Sequence, residues 1–122
     1  METKHNPVAE KSYKFALSII KLYKFLISEK KEFVLSKQLL RSGTSIGALI
    51  KEAEHAQSKP DFLNKMNIAL KEANESSYWL MLLKDSEYIL ENEFETIKQE
   101  CEELIRLLAS IVKSTKINLN RL

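Results

Sequence analysis

The sequence predicts an all-α protein that folds as an antiparallel up-down-up-down four-helix bundle. Three observations lead to this: apolar residues recur at helical spacing in four segments, short polar breaks separate the segments, and the 122 residues include only 2 Gly and 2 Pro. So little glycine and proline leaves few residues for the tight turns of a small β-domain. A chain of this length ordinarily forms one core, so we expect a single domain over residues 1–122.

The first predicted helix spans residues 7–29. Asn6 is a favourable N-cap residue, and Pro7 suits the first helical position. The apolar residues of this helix cover roughly 220° of its circumference, whereas one buried face needs a stripe of about 100°. We therefore expect helix 1 to make contacts beyond its own bundle.

The second predicted helix spans residues 37–58, after Ser36 as N-cap. Its seam alternates steps of four and three residues, a spacing typical of bundles, and consists of Leu39, Gly43, Ile46, Ile50, Ala53 and Gln57. Gly43 and Gly47 each cost about 1 kcal/mol relative to Ala inside a helix, so we expect close packing to recover that loss. A second stripe lies on another side and suits a second closely packed partner; it consists of Arg41, Ser45, Ala48 and Glu52.

The third and fourth predicted helices span residues 61–86 and 92–114, and residues 115–122 are expected to fray. The core stripe of helix 3 is predicted as Phe62, Met66, Ala69, Ala73, Ser77 and Leu80. Helix 4 carries the most regular heptad pattern, made of Phe94, Ile97, Cys101, Leu104, Leu108 and Ile111. Trp79 projects away from the helix 3 stripe among charged residues, which favours a partly buried interface over full exposure.

Charge is distributed unevenly along the chain. Residues 1–59 contain 11 Lys and Arg against 6 Asp and Glu, whereas residues 60–122 contain 8 against 11. Such an asymmetry suits electrostatic pairing within or between subunits, or a basic surface open to phosphates. The candidate nucleic-acid-binding residues are Lys11, Lys14, Lys21, Lys24, Lys30, Lys31 and Lys37. The alternative is a solvated face that keeps the protein soluble.

Residue chemistry argues against catalysis, so we expect no enzymatic activity, cofactor or metal. Glu52 and His55 form one Glu-x-x-His pair, but the second pair that a di-iron bundle requires is absent. The Gly43–Gly47 spacing fits neither phosphate-binding fingerprint. The glutamates beside Cys101 raise the pKa of a thiol, which opposes a nucleophilic role.

The cysteine count and the hydropathy predict a cytoplasmic protein. A lone Cys101 cannot form an internal disulfide, which fits a reducing compartment. No signal-peptide pattern is present, and no apolar run approaches the roughly 18 residues needed to cross a bilayer. We therefore expect no membrane partner.

Residues 41–83, RSGTSIGALIKEAEHAQSKPDFLNKMNIALKEANESSYWLMLL, resemble the signature of small four-helix-bundle proteins encoded in intervening sequences of bacterial large-subunit ribosomal RNA genes. The family is also similar to the accessory protein of diversity-generating retroelements. Helices 1 and 4 match only in their apolar pattern. The candidate motif or interface residues are Arg41, Ser45, Glu52, Phe62, Lys71, Glu72, Glu75 and Trp79. One departure is Leu49, where the family pattern leads us to expect Asn.

The resemblance implies a bundle that assembles as a homopentameric ring, with a basic exterior that contacts RNA. The expected partners are other copies of the chain and either ribosomal RNA or a nucleic-acid-processing protein. Two hypotheses follow. The first is a non-enzymatic, ring-forming bundle that binds structured RNA or such a partner through basic helix surfaces, and the alternative is a structural or protein-binding adaptor with no nucleic-acid role.

Overall fold

The computed structural model describes residues 6–120 and folds them into four helices. These are α1 (Pro7–Ser28), α2 (Leu35–Ala53), α3 (Lys59–Asp85) and α4 (Glu91–Asn120). Helices α1 and α3 each pack against both α2 and α4. The predicted all-α four-helix arrangement is therefore confirmed.

Contacts between neighbouring helices fit the antiparallel order. Gly43 of α2 lies against Ile19 of α1, and Gly47 lies against Ser12, so residue numbers rise along one helix as they fall along the other. The other three helix pairs show the same inverse order. Between α2 and α3, Ser42 contacts Ser76 and Glu52 contacts Lys65. Between α3 and α4, Ala73 contacts Cys101 and Lys84 contacts Phe94, and between α1 and α4, Lys11 contacts Glu103 and Ser18 contacts Glu100.

One apolar core draws residues from all four helices. The largest fully buried apolar side chains are Phe15, Ile19, Leu26, Leu39, Ile46, Met66, Leu80, Leu83, Leu104 and Leu108. The predicted α2 seam is confirmed from Leu39 to Ala53. Gln57 is exposed instead, because α2 ends before it.

The predicted α3 stripe is buried at Met66, Ala69, Ala73 and Leu80 and partly buried at Phe62, whereas Ser76 rather than Ser77 is fully buried. The Ser76 hydroxyl lies 2.9 Å from the Ser42 hydroxyl of α2 and 2.8 Å from the Glu72 carbonyl oxygen. These two small hydroxyl groups satisfy each other at the α2–α3 contact, where a larger side chain would force the helices apart.

The N-terminus of α2 is capped by Glu32 and not by Ser36. The Glu32 carboxylate accepts hydrogen bonds from the backbone amides of Val34, Leu35 and Ser36, at 3.1, 2.9 and 2.6 Å. Burial raises the pKa of the Glu32 carboxyl, but these hydrogen bonds outweigh burial, so the pKa lies below its usual value. Glu32 lies three residues before Leu35, the first residue of α2, whereas sequence-based N-cap assignment considers Ser, Thr, Asp or Asn directly before the helix.

Two helix ends also differ from prediction. Helix α2 stops at Ala53, and the chain turns through residues 54–58 without glycine or proline to mark the break. The Ser58 hydroxyl then caps α3 by accepting from the Asp61 amide at 3.1 Å. Helix α4 continues to Asn120, so the predicted fraying from residue 115 is wrong up to that point, and residues 121 and 122 lie outside the described part of the chain.

The two glycines of α2 predict opposite mutational effects. A Cβ at Gly43 would lie 2.8 Å from Cγ1 of Ile19, which is fully buried, whereas a Cβ at Gly47 would lie 3.4 Å from the Ser12 hydroxyl. We expect Gly43→Ala to destabilise the protein by about 1–3 kcal/mol through overpacking. The matched variant Gly47→Ala should be neutral or up to about 1 kcal/mol more stable because it gains helix propensity. Urea unfolding measures both, and equal effects would contradict the close approach at Gly43.

Candidate functional site

Four of the motif residues meet on the outer surface between α2 and α3, and we call Arg41, Glu72, Glu75 and Trp79 the Arg41 cluster. The Arg41 guanidinium donates to Glu72 Oε2 at 3.2 Å and also to Glu75. The same Glu75 oxygen accepts a hydrogen bond from the Trp79 indole at 3.1 Å. The hydrogen bond with Glu75 raises the pKa of Arg41 above its usual value.

The Arg41 cluster follows from helical spacing on α3. Steps of three and four residues carry Glu72, Glu75 and Trp79 along the side of α3 that adjoins α2. Trp79 packs partly against the core and meets Tyr78 edge to face, with ring centroids 5.2 Å apart. The predicted partial burial of Trp79 is therefore confirmed.

The second stripe of α2 does not act as one unit. Its ends contact α3, since Arg41 joins the Arg41 cluster and Glu52 accepts from the Lys65 ammonium at 3.2 Å. The Ser45 hydroxyl donates to the Ser42 carbonyl of its own helix at 2.9 Å. Ala48 is exposed and lines a groove of about 420 Å³ between α1 and α2.

The two remaining motif residues lie apart from the Arg41 cluster's hydrogen bonds. Phe62 is partly buried and packs against the apolar core, which gives it a structural role. Lys71 is exposed on α3.

Three of the seven candidate lysines face carboxylates of α4. Lys11 pairs with Glu103 at 2.6 Å, and this contact lowers the pKa of Glu103. Lys14 lines a groove between α1 and α4 with Glu103 and Glu100, and Lys21 lines the adjoining groove with Glu100. The structure therefore does not bring the seven lysines together as one uninterrupted basic surface.

The other four lysines lie in the last turns of α1, in the connection to α2 and at the start of α2. Lys24, Lys30, Lys31 and Lys37 are exposed, and no ion pair within residues 6–120 involves them. The Lys30 ammonium lies 5.9 Å from the ring centroid of Phe25. These lysines keep their positive charge available to a partner.

Two pairs of exposed apolar side chains lie on α1 and in the connection from α1 to α2; the other large ones exposed within residues 6–120 are Tyr78, Met81, Leu90 and Ile117. Tyr13 and Leu17 on α1 are 65% and 52% exposed, which shows where the wide apolar arc of helix 1 remains uncovered. Phe33 and Val34, in the connection between α1 and α2, are 57% and 72% exposed. Sequence reasoning missed this second pair, although two apolar residues outside the helical pattern and beside three lysines were a readable signal.

Cys101 is buried between α3 and α4, with its sulfur 3.4 Å from the Ala73 carbonyl oxygen. Burial, with Glu102 and Glu100 nearby, raises the pKa of its thiol to about 12, so the thiol stays protonated at neutral pH. Across residues 6–120, no three His, Cys, Asp or Glu side chains are grouped to hold a metal ion. No helix in that range is both long and apolar enough to cross a membrane.

The helix order and the Arg41 cluster define a small four-helix bundle whose α2–α3 surface is joined by an arginine and two carboxylates. Residues 4–110 match the profile of a family described as 23S rRNA-intervening sequence protein. Because this match spans most of the sequence, the chain belongs to that family.

A solved structure from Bacteroides thetaiotaomicron supports the same assignment. That protein is described as one of unknown function from the S23 ribosomal protein family, and it is 60% identical to this chain. The TM-score is 0.86, over 87% of this chain and 98% of the other. No curated protein matches the chain.

The Arg41 cluster should contribute modest, salt-dependent stability. Because the Arg41 side chain is 51% exposed, solvent screens its ion pairs. A double-mutant cycle with Arg41→Met and Glu75→Gln should give a coupling energy of about 0.5–1 kcal/mol in urea unfolding, smaller at high salt. The Glu52 and Lys65 pair is the matched control and should give less, because it lacks a second carboxylate. A coupling energy of zero would contradict a stabilising role for the Arg41 cluster.

Proposed function

We propose that this protein is a non-enzymatic, ring-forming helical bundle of the cytoplasm that binds structured RNA through basic helix surfaces. The observation that carries the proposal is the set of exposed lysines without ion pairs around the α1–α2 connection, Lys24, Lys30, Lys31 and Lys37. Phosphates attract such unpaired cations, and binding of this kind depends little on base sequence. The chain also belongs to a family described as 23S rRNA-intervening sequence protein, which supports RNA as the partner.

Self-assembly rests on the uncovered apolar face of α1. Tyr13 and Leu17 remain exposed there, and Tyr13 shares its groove with Ala48 of α2. The α1–α2 half of the chain is basic and the α3–α4 half is acidic, so one copy offers its neighbour a surface of opposite charge. Repeated contacts between unlike surfaces form a closed ring when the rotation between neighbouring copies divides a full turn evenly, and the family resemblance favours a homopentamer.

A second candidate function is a structural or protein-binding adaptor. It is favoured by the α4 carboxylates, since Glu103 and Glu100 face Lys11 and Lys14 and reduce the positive charge of that surface. In such an adaptor the remaining lysines serve solubility.

RNA binding in a salt series separates the two functions. A fluorescently labelled ribosomal RNA hairpin should bind the wild-type protein at low salt, with log affinity falling linearly as log salt concentration rises. Each lysine that contacts a phosphate contributes about 0.9 to the slope on a duplex. We expect Lys31→Gln and Lys37→Gln to reduce the slope by about that amount each, and Lys11→Gln, the control already paired with Glu103, to reduce it less.

Absence of binding at the lowest salt concentration would contradict the RNA proposal and favour the adaptor. Binding that does not change with salt concentration would contradict the role of the lysines.

Ring formation predicts a larger mass than one chain. Light scattering after size exclusion should give a single species of several subunits, and Ala48→Arg should lower that mass because a long charged side chain would fill the α1–α2 groove. Ala109→Arg places the same side chain at an exposed alanine of α4 and controls for its effect on folding, measured by thermal melting. A monomeric wild-type protein would rule out the ring.

A further inference from the structure

The connection between α1 and α2 places an exposed aromatic ring among lysines. Phe33 lies at this corner of the bundle with more than half of its surface open to solvent. Lys30 and Lys31 lie three and two residues before it, separated from it by Glu32, and Lys37 follows in the first turn of α2. An aromatic face beside several cations is the combination with which proteins bind unpaired nucleotides.

Hydrogen bonds hold this corner in one conformation. The Glu32 amide donates to the Leu26 carbonyl at 3.0 Å, and the Ser36 hydroxyl donates to the Glu32 carbonyl at 2.7 Å. The buried Glu32 carboxylate meanwhile caps α2. Because Glu32 is anchored on both sides, the backbone on either side of Phe33 is held by hydrogen bonds, and a partner that contacts Phe33 does not have to order the loop.

The backbone at Lys31 adds a second sign of a defined conformation. Its φ angle is 53°, in the left-handed region that non-glycine residues adopt only at a cost of about 1 kcal/mol or more. Glu32 follows immediately, and its contacts with Leu26 and α2 maintain this conformation. The turn directs the chain so that Phe33 and Val34 face outward.

We propose that Phe33 is a stacking platform for an unpaired RNA base, and that Lys30, Lys31 and Lys37 contact the phosphates on either side of that base. The inference rests on the proposed function and specifies that the protein binds an unpaired base of the RNA. Bases in loops and bulges have free faces that stack on aromatic side chains, whereas paired bases do not. Lys30, Lys31 and Lys37 are exposed and form no ion pair within residues 6–120, which favours a polyanion over an apolar protein segment.

The connection between α3 and α4 lies at the same end of the bundle as the α1–α2 connection and provides a comparison. Leu90, between α3 and α4, is 68% exposed and therefore comparable in apolar area. Its neighbours are Glu87 and Glu91, which repel phosphate. Leu90 also has no aromatic face, so it provides a matched control.

The test uses the full chain and two RNAs, a hairpin with one unpaired 2-aminopurine and a fully paired duplex with the same number of phosphates. Wild-type protein should quench the 2-aminopurine fluorescence through stacking. We expect Phe33→Ala to weaken hairpin binding by about 5- to 150-fold, the range measured for base–aromatic stacking. Duplex affinity should change less than twofold, and Leu90→Ala should change neither affinity.

Two further variants separate aromatic stacking from apolar contact and from folding. Phe33→Tyr keeps the ring and should keep the quenching, whereas Phe33→Leu keeps apolar volume and should lose it. Both are close in size to the native residue at an exposed position, so melting temperatures should stay near that of the wild type.

The outcomes distinguish failure of the platform from failure of RNA binding. If wild type binds the hairpin and Phe33→Ala binds it as tightly as Leu90→Ala does, the platform is wrong and RNA binding stands. If wild type binds neither RNA at low salt, both proposals are wrong. If Phe33→Ala lowers the oligomer mass without changing the quenching, Phe33 is a subunit contact instead.

Discussion

The close approach of α1 and α2 at Gly43 is the constraint on which the rest of the bundle depends. With no side chain at that position, Ile19 lies directly against the α2 backbone, and the two helices share a narrow seam. This proximity leaves α2 free to present a different side to α3, where Ser42 and Ser76 meet at 2.9 Å. Helix α2 therefore lies close to both α1 and α3, and small residues on its two sides, Gly43 and Ser42, allow these two contacts.

Packing near the α1–α2 seam also determines which surfaces remain open. Only part of the apolar arc of α1 is needed against α2 and α4, so Tyr13 and Leu17 stay exposed. Along the other edge of α1, the carboxylates of α4 face Lys11 and Lys14. Of the seven candidate lysines, the four that neither pair with nor share a groove with an α4 carboxylate lie around the connection to α2, where Glu32 caps the helix. Rigidity and available charge thus coincide at one corner of the molecule.

Local pattern predicted the features that depend on one helix at a time. The α2 seam and the Asn6 cap follow from spacing and side-chain chemistry within a few residues. The contact of Ser18 with Glu100 joins residues 82 positions apart, so it depends on the register between α1 and α4, which the sequence of neither helix specifies. The cap by Glu32 was missed because it requires a chain reversal that no glycine or proline announces.

The Arg41 cluster has a consequence for how much substitution each part of the chain tolerates. An apolar seam accepts exchange among Leu, Ile and Met with small losses, because volume matters more than identity. Arg41 and Glu75, by contrast, need a planar donor opposite a carboxylate, and Glu75 serves the Trp79 indole at the same time. The contacts of the α2–α3 hairpin therefore depend on residue identity as well as on volume. Residues 41–83, from which the family resemblance was drawn, span this hairpin, and the family match extends beyond it over residues 4–110.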